Sequence, residues 1–406
     1  MNHKIYASAL LLFILISSCT NNQDIRFAGW DYTWMKKVKS DLKKDGSKWE
    51  SAYSKLTADA EKALGEGVYS VTFKKMVPPS GSKNDYMSMG PYWWPDPEKP
   101  DGLPYIRRDG EVNPERNELD SPQLSRMINA VKTLSLAWYF SDNDAYSDKA
   151  GELLRVWFLN PETLMNPHLN YGQSIPGRTE GRFIGIIDGR SFAVLVDAIS
   201  LLESSGSITD FEKEKLRAWF EMYFIWLTEG EFGKEEEDYI NNHSVAFDVQ
   251  AGAIAYFLGK DDYVERKATE VPARRIEHMI EADGSQPHEL IRTRAYSYSV
   301  SNLSNFFDIG TIGLKAGVDI FNVENSKGGS LKKALDYLIG FVGRESDWPY
   351  EQISSWLQTE NNLGLLIRKA SVIYESNEYK NIWNQQFQQR LDNHWKLLVE
   401  PEPESN

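Results

Sequence analysis

The chain has few of the residues that build metal or disulfide sites. Its 406 residues include one cysteine, Cys19, and six histidines. The sequence has no His-Glu-x-x-His motif, and a single cysteine forms neither an intramolecular disulfide nor a thiolate metal site. Glycine-rich phosphate loops and a Gly-x-Ser-x-Gly motif are also missing. We therefore expect chemistry that uses ordinary polar side chains and needs no metal or cofactor.

Positive charge is in short supply as well. The 45 basic residues are outnumbered by 59 acidic ones, for a formal net charge of −14. This balance argues against nucleic acid as a partner, because phosphate binding needs a basic field. An anionic sugar remains possible if basic residues cluster locally. The candidates for such a stripe are Arg107, Arg108, Arg178, Arg182, Arg274, Arg275, Arg292 and Arg294.

Long apolar runs are scarce, and the clearest one lies at the N-terminus. Lys4 precedes an apolar stretch over residues 7–16, which is too short to span a bilayer and ends in Ile16-Ser17-Ser18-Cys19. The pattern is typical of a bacterial lipoprotein signal. It predicts a signal peptide over residues 1–18, lipidation at Cys19 and a tether over residues 19–29. The protein would then be a cell-envelope lipoprotein, periplasmic or attached to the outer membrane, and would touch the membrane only through its lipid. The alternative is an ordinary signal peptide with an incidental cysteine.

Aromatic residues, by contrast, are plentiful: 13 Trp, 20 Tyr and 18 Phe. Such a composition fits a surface that stacks on sugar rings, and it fits large side chains in a helical core equally well. Apolar residues recur at helical spacing along most of the chain, with hardly any strand pattern. Paired helices with long connections predict that residues 30–400 form one all-α domain, an incomplete (α/α) toroid or barrel with long groove-forming loops.

Two stretches interrupt the helical pattern. Residues 77–118 and residues 166–178 are rich in proline, glycine and aromatic or polar residues, which is typical of functional loops. We predict that they form groove walls, although the tryptophans could instead anchor a loop to the core. The predicted sugar contacts are Tyr86, Tyr92, Trp93, Trp94, Asn170, Tyr171, Gln173 and Arg178.

The most informative residues are Asn241-Asn242-His243 together with residues 289–298, Glu-Leu-Ile-Arg-Thr-Arg-Ala-Tyr-Ser-Tyr. An apolar helical run follows His243, so Asn242 and His243 are expected at a helix N-terminus, where free backbone amides favour an anion. Arg292 and Tyr298 converge if the first turn of their helix is irregular. The acidic run over residues 235–238 is predicted to be a solvated turn.

An amide, an imidazole, a guanidinium and a phenol suffice for β-elimination on a uronate. The ionised carboxylate must be neutralised before the neighbouring C5 proton can leave, and the leaving O4 must receive a proton. A nearby arginine is expected to lower the pKa of Tyr298 by about 1–3 units. Tyr298 would then transfer both protons in a syn elimination. In an anti elimination His243 would be the base and Tyr298 the acid.

These motifs, with residues 86–97 and 166–173, resemble the alginate-lyase superfamily of α/α-toroid polysaccharide lyases. The resemblance is closest to polysaccharide lyase family 38 and more distant to family 5. It implies metal-independent cleavage of an anionic uronate polysaccharide, alginate or glucuronan. It also implies that Asn242 and Arg292 neutralise the carboxylate while His243 and Tyr298 move protons. Family 5 spaces its arginine and tyrosine differently, which leaves Tyr296 as a rival to Tyr298; Arg294 and Tyr296 are further expected substrate contacts.

Two other functions fit parts of the sequence. The protein could be a non-catalytic lipoprotein that captures glycans for an uptake system, which would leave the Asn-His-Arg-Tyr set unexplained. It could instead be a toroidal glycoside hydrolase with a carboxylate pair, Asp188 and Asp248, and it would then release saturated sugars.

Overall fold

The computed structural model describes residues 25–403. The predicted signal peptide, Cys19 and the start of the tether lie outside these residues. Residues 25–29 belong to the folded domain rather than to the tether. Phe27 and Ala28 are buried, and the backbone N–H groups of Ala28, Gly29 and Trp30 donate to the Asp197 carboxylate at 2.6, 2.8 and 3.0 Å. The predicted domain boundary at residue 30 is therefore a few residues too late.

Helices dominate this part of the chain, as predicted. They are α1 Tyr32–Asp41, α2 Glu50–Gly65, α3 Asp120–Ser141, α4 Asp144–Leu154, α5 Phe192–Leu202, α6 Asp210–Glu229, α7 Glu231–Glu237, α8 Asn242–Leu258, α9 Asp261–Val271, α10 Glu277–Met279, α11 Pro287–Leu290, α12 Ala295–Lys315, α13 Leu331–Ile339, α14 Trp356–Ile373 and α15 Asn377–Ile382. None of the helices within residues 25–403 combines the length and the apolar character that crossing a bilayer requires.

The helices form two concentric layers. Successive inner helices α3, α5, α8, α12 and α14 contact one another in that order. The second layer includes α4, α9, α13 and α15, which pack against the inner helices α3, α8, α12 and α14 respectively. A C-terminal turn, Trp395–Leu398, contacts α1 and α2 where the inner row ends. The all-α toroid-like fold predicted from the helical periodicity is thereby confirmed.

Inner helices are apolar on most of their surface because both layers cover them. Helix α8 shows this best: Val245, Phe247, Ala251 and Ile254 are all at most 1% exposed. Its N-terminus carries Asn241 as the cap, whose side-chain oxygen accepts the His243 backbone N–H at 2.9 Å. The core thus holds α8 rigidly and presents its first turn at one end of the toroid.

Short strands lie only in the two predicted loops of the described chain. Strand β1, Met87–Met89, pairs in parallel with β4, Tyr171–Ser174, and β2, Trp93–Trp94, pairs antiparallel with β3, Ile106–Arg107. The first pair ties the loop over residues 77–118 to the loop over residues 166–178. Both loops are therefore ordered, and they stand at the same end of the toroid.

Candidate active site

A cleft of about 1350 Å³ opens at the loop-bearing end of the toroid. It is bordered by the two loops, the first turn of α8, the break between α11 and α12, one face each of α12 and α14, and the segment 394–400. His243, Arg292 and Tyr298 all line it, so the two distant sequence motifs meet in one place. Four other predicted contacts, Tyr92, Trp93, Gln173 and Arg294, line it as well.

Tyr298 is the centre of a small polar group. Its hydroxyl lies 2.8 Å from the Tyr92 hydroxyl and accepts a hydrogen bond of 3.1 Å from Nη2 of Arg292. The Arg292 guanidinium also stands 4.2 Å from the centre of the Tyr298 ring. The condition for this convergence, an irregular turn, is met, because Arg292 lies in the break between α11 and α12 while Tyr298 is in the first turn of α12.

Arg292 is held in place by a residue that the sequence did not single out. Asp109, on the loop over residues 77–118, accepts from Arg292 Nη2 at 2.9 Å and from the Thr293 hydroxyl at 3.1 Å. Although burial opposes ionisation, the Arg292 and Arg107 guanidinium groups hold the pKa of the Asp109 carboxyl below its usual range. Asp109 is thus ionised and fixes the guanidinium that faces the cleft.

His243 has a buried carboxylate behind it. Its Nδ1 lies 2.9 Å from Oε1 of Glu236, which is 0% exposed. The prediction of a solvated acidic turn is therefore wrong for Glu236: α7 ends here and turns this side chain inward. Burial raises the pKa of the Glu236 carboxyl, and His243 opposes this shift. In its ionised form the carboxylate only accepts hydrogen bonds, so that form keeps the ring proton on Nδ1 and leaves Nε2 as the proton acceptor.

Asn242 is placed differently from its predicted role. It is 5% exposed and lies in the wall behind the cleft, where its Nδ2 donates to Oε2 of Glu289 at 2.9 Å and its backbone N–H to Oε1 at 2.8 Å. Burial raises the pKa of the Glu289 carboxyl, and the two bonds from Asn242 oppose this shift. Asn242 therefore ties α8 to α11, and the asparagine that borders the cleft is Asn241.

The expectation for the acidity of Tyr298 is also reversed. Burial raises the pKa of the Tyr298 phenol above its ordinary value and Tyr92 raises it further, while Arg292 only partly opposes the shift. The sequence argument considered the arginine and could not include the desolvation. Tyr298 is therefore a neutral phenol in the free protein, which is the form that donates a proton.

The cleft carries a local excess of positive charge although the whole chain is acidic. Its charged lining consists of the cations Arg107, Arg182, Arg190, Arg292, Arg294, Lys369 and Lys396 and the anions Asp238, Asp308 and Glu400. Burial lowers the pKa of Arg182 to about 10, which still leaves it charged at neutral pH. Such a field attracts an anionic polymer.

Comparison with known proteins decides the family. Residues 70–348 match the family described as alginate lyase. A crystal structure of an alginate lyase from Bacteroides ovatus is 41% identical to the chain, covers 91% of it and 97% of its own length, and superimposes with a TM-score of 0.88. The chain belongs to the alginate lyase family. It is accordingly a polysaccharide lyase. A comparison with curated protein sequences gave no match.

A less similar structure shares the helical fold. It is alginate lyase A1-III in complex with a tetrasaccharide, in a variant with a histidine replaced by alanine. It is 14% identical, covers 87% of this chain and 89% of its own, and has a TM-score of 0.54. At this identity the likeness extends to the helical fold alone.

Two of the predicted sugar contacts in this alginate lyase family member are core residues. Tyr86 is 0% exposed and donates to Asp188 at 3.0 Å. Tyr296 is 0% exposed and stacks on Trp356 with ring centres 4.0 Å apart. The predictions for these two residues are wrong, and Tyr296 is no rival to Tyr298, because residues two apart on a helix point about 200° away from each other.

The other predicted contacts lie beside the cleft rather than in it. Trp94 donates to the Glu111 carbonyl, Asn170 accepts from Trp226, Tyr171 packs near His168, and Arg178 donates to the Tyr105 carbonyl. Trp93 does border the cleft, but the guanidinium groups of Arg178 and Arg182 lie 5.2 and 5.9 Å from the centre of its ring.

The pair of carboxylates proposed for a glycoside hydrolase is not available for catalysis. Asp248 is 1% exposed and is bound by Arg275 at 2.8 Å. Asp188 accepts hydrogen bonds from Tyr86, Ser88 and Gln173. Neither residue borders the cleft, so the hydrolase hypothesis is wrong for this structure. Arg275 was a candidate for a basic stripe that binds an anionic sugar. It is held in this ion pair with Asp248 and does not border the cleft.

Proposed function

We propose that the protein cleaves a uronate polysaccharide, alginate or glucuronan, by metal-independent β-elimination, as a member of polysaccharide lyase family 38. The observation that carries the proposal is the meeting of His243, Arg292 and Tyr298 in one cationic cleft. The names of the similar structures, which are alginate lyases, support alginate as the substrate.

In the proposed mechanism Arg292 binds the uronate carboxylate at the scissile residue. Its charge withdraws electrons from C5 and stabilises the carboxylate as it becomes enolate-like. Asp109 keeps the guanidinium in position, since its two oxygens accept from Nη2 and Nε of Arg292 at 2.9 and 3.3 Å. Binding and charge neutralisation therefore need no metal ion.

His243 and Tyr298 divide the two proton transfers. Nε2 of His243 takes the C5 proton, because Glu236 occupies Nδ1. The neutral phenol of Tyr298 gives its proton to O4 as the C4–O4 bond breaks and the C4=C5 double bond forms. This division suits an anti elimination. A syn elimination would require Tyr298 to lose its proton first, and burial opposes that loss.

The purified protein is expected to raise ultraviolet absorbance on alginate or glucuronan as unsaturated chain ends form. Mass spectrometry of the products separates elimination from hydrolysis, since hydrolysis adds one water per cleavage. A screen of polymannuronate, polyguluronate, alginate and glucuronan with no absorbance gain on any of them would refute the proposal.

Replacing Glu236 with glutamine tests how His243 is held. The amide can donate to Nδ1 as well as accept from it, so the tautomer is no longer fixed, and we expect kcat to fall by about 10-fold or more. An unchanged kcat would remove Glu236 from the mechanism. Glu235→Gln, on the same acidic run, is the control.

We further propose that the mature protein is anchored at the cell envelope through lipid on Cys19. Only the sequence supports this, because residues 1–24 lie outside the described structure. Replacing Cys19 with serine is expected to release the protein from the membrane fraction of a bacterial host. A variant that remains in that fraction would refute lipid anchoring.

A further inference from the structure

The cleft extends well beyond the three catalytic groups, along one face of two parallel helices. Near their N-termini, Ser297 of α12 and Thr359 of α14 are linked by hydroxyls 2.7 Å apart. Further along, Lys369 of α14 donates to Asp308 of α12 at 2.8 Å. The two contacts advance by nearly the same number of residues on each helix, so α12 and α14 run side by side in the same direction.

Polar side chains follow this pair of helices in helical register. Ser301, Asn305 and Asp308 border the cleft from α12, and Gln358, Asn362 and Lys369 border it from α14. Their spacings of three, four and seven residues place each set on one helix face. Asp308 is ten residues beyond Tyr298 on α12, which corresponds to about 15 Å along the helix axis. We call these six residues the polar track.

The middle of the polar track offers free hydrogen-bonding groups. Within residues 25–403, the side chains of Ser301, Asn305, Gln358 and Asn362 make no hydrogen bond to the protein. Amides and hydroxyls that face a cleft without internal partners are suited to sugar hydroxyls, because each supplies donors and acceptors in fixed positions. The track is therefore equipped to bind a polar chain along its length.

The far end of the polar track holds two lysines, each of which is paired with one carboxylate. Lys369 pairs with Asp308, and Lys396, on the segment after α15, lies 3.4 Å from Glu400. Although burial opposes ionisation, the two lysines hold the pKa of Asp308 below its usual range, so both act on the same carboxylate. An ammonium group has three donors, and each lysine uses one on these partners. Donors remain at this end for another anion.

We propose that the polar track is a second recognition site of this lyase. It holds uronate residues several positions from the scissile bond, and Lys369 and Lys396 bind a carboxylate at its far end. The inference rests on the proposed function for the identity of the ligand. The bond-breaking chemistry stays at Tyr298, so the polar track contributes affinity and selects long substrates over short ones.

Binding to the Tyr298→Phe protein tests the polar track without turnover. Lys369→Gln and Lys396→Gln are each expected to weaken calorimetric binding of a long oligouronate by roughly 10-fold, the loss typical of one charge-assisted hydrogen bond. Binding of the shortest oligouronate that the enzyme cleaves should stay unchanged, because it does not reach the lysines. Lys213→Gln, on α6 outside the cleft, is the matched control.

Asp308→Asn separates recognition from a structural role of the ion pair. If Lys369 binds a carboxylate of the substrate, removing its internal partner leaves binding of the long oligouronate as tight or tighter. If the pair only supports the helices, Asp308→Asn and Lys369→Gln weaken binding alike, and the inference fails. It also fails if neither lysine variant changes binding. Absent elimination in the unsubstituted protein would instead refute the proposed function and leave the binding comparison intact.

Discussion

Tyr298→Phe is expected to lower kcat by at least about 10³-fold on any uronate polymer that the protein cleaves. The variant removes the only proton that the phenol can give to O4 and keeps the ring that packs beside Arg292. Binding of the polymer should change little, because Arg292 and the other cations of the cleft remain. Initial rates of ultraviolet absorbance and calorimetric binding measure the two quantities separately.

Tyr296→Phe is the matched control for that experiment. Tyr296 is a core residue whose hydroxyl makes one long hydrogen bond of 3.4 Å, to the Leu338 carbonyl. Removing the Tyr296 hydroxyl is expected to leave kcat within about 3-fold of the parent, since a buried hydrogen bond of this length contributes little to stability. If Tyr298→Phe retains parental turnover, the proton donor is another group and the mechanism above is wrong.

Arg292→Gln is expected to lower kcat by about 10²–10³-fold, the usual loss for one group that stabilises charge in a transition state. The amide cannot neutralise the substrate carboxylate, and it removes the ion pair between Arg292 and Asp109. Arg292→Lys should recover part of the rate, because it restores the charge but not the two bonds to Asp109. Steady-state kinetics on the best polymer, with melting temperatures for each variant, provide the measurement.

The control for Arg292 is Arg344→Gln, an exposed arginine whose partner is Asp347 outside the cleft. It should match the parent in kcat and KM. If Arg292→Gln raises KM and leaves kcat unchanged, the arginine binds substrate and transition state equally well. That result would contradict its proposed role in activating C5.

Local patterns in the sequence predicted much of the fold. Apolar residues at helical spacing indicated a helical chain and placed the start of α8 close to where it occurs, because an amphipathic period depends only on neighbours along the chain. The same local reasoning placed His243 at a helix start and identified an irregular turn as the condition for Arg292 to reach Tyr298. Alternation between helix and loop further identified the two stretches that border the cleft.

Local patterns could not predict contacts between residues from distant parts of the chain. Asp109 binds Arg292 across 183 positions, and Glu289 binds Asn242 across 47. No periodicity links such residues, so their roles follow only from packing. Glu236 illustrates the consequence: within a run of four acidic residues, only the turn of α7 onto the core decides that this one faces His243.

The sequence by itself indicated a mostly helical chain and a set of imidazole, guanidinium and phenol groups, because residue types and helical periods are local properties. Tertiary structure decided which tyrosine borders the cleft, which asparagine is tied up in the wall, and in which direction the acidity of Tyr298 moves. These outcomes depend on burial and on charges brought close in space. Burial and proximity exist only once the two layers of helices have packed.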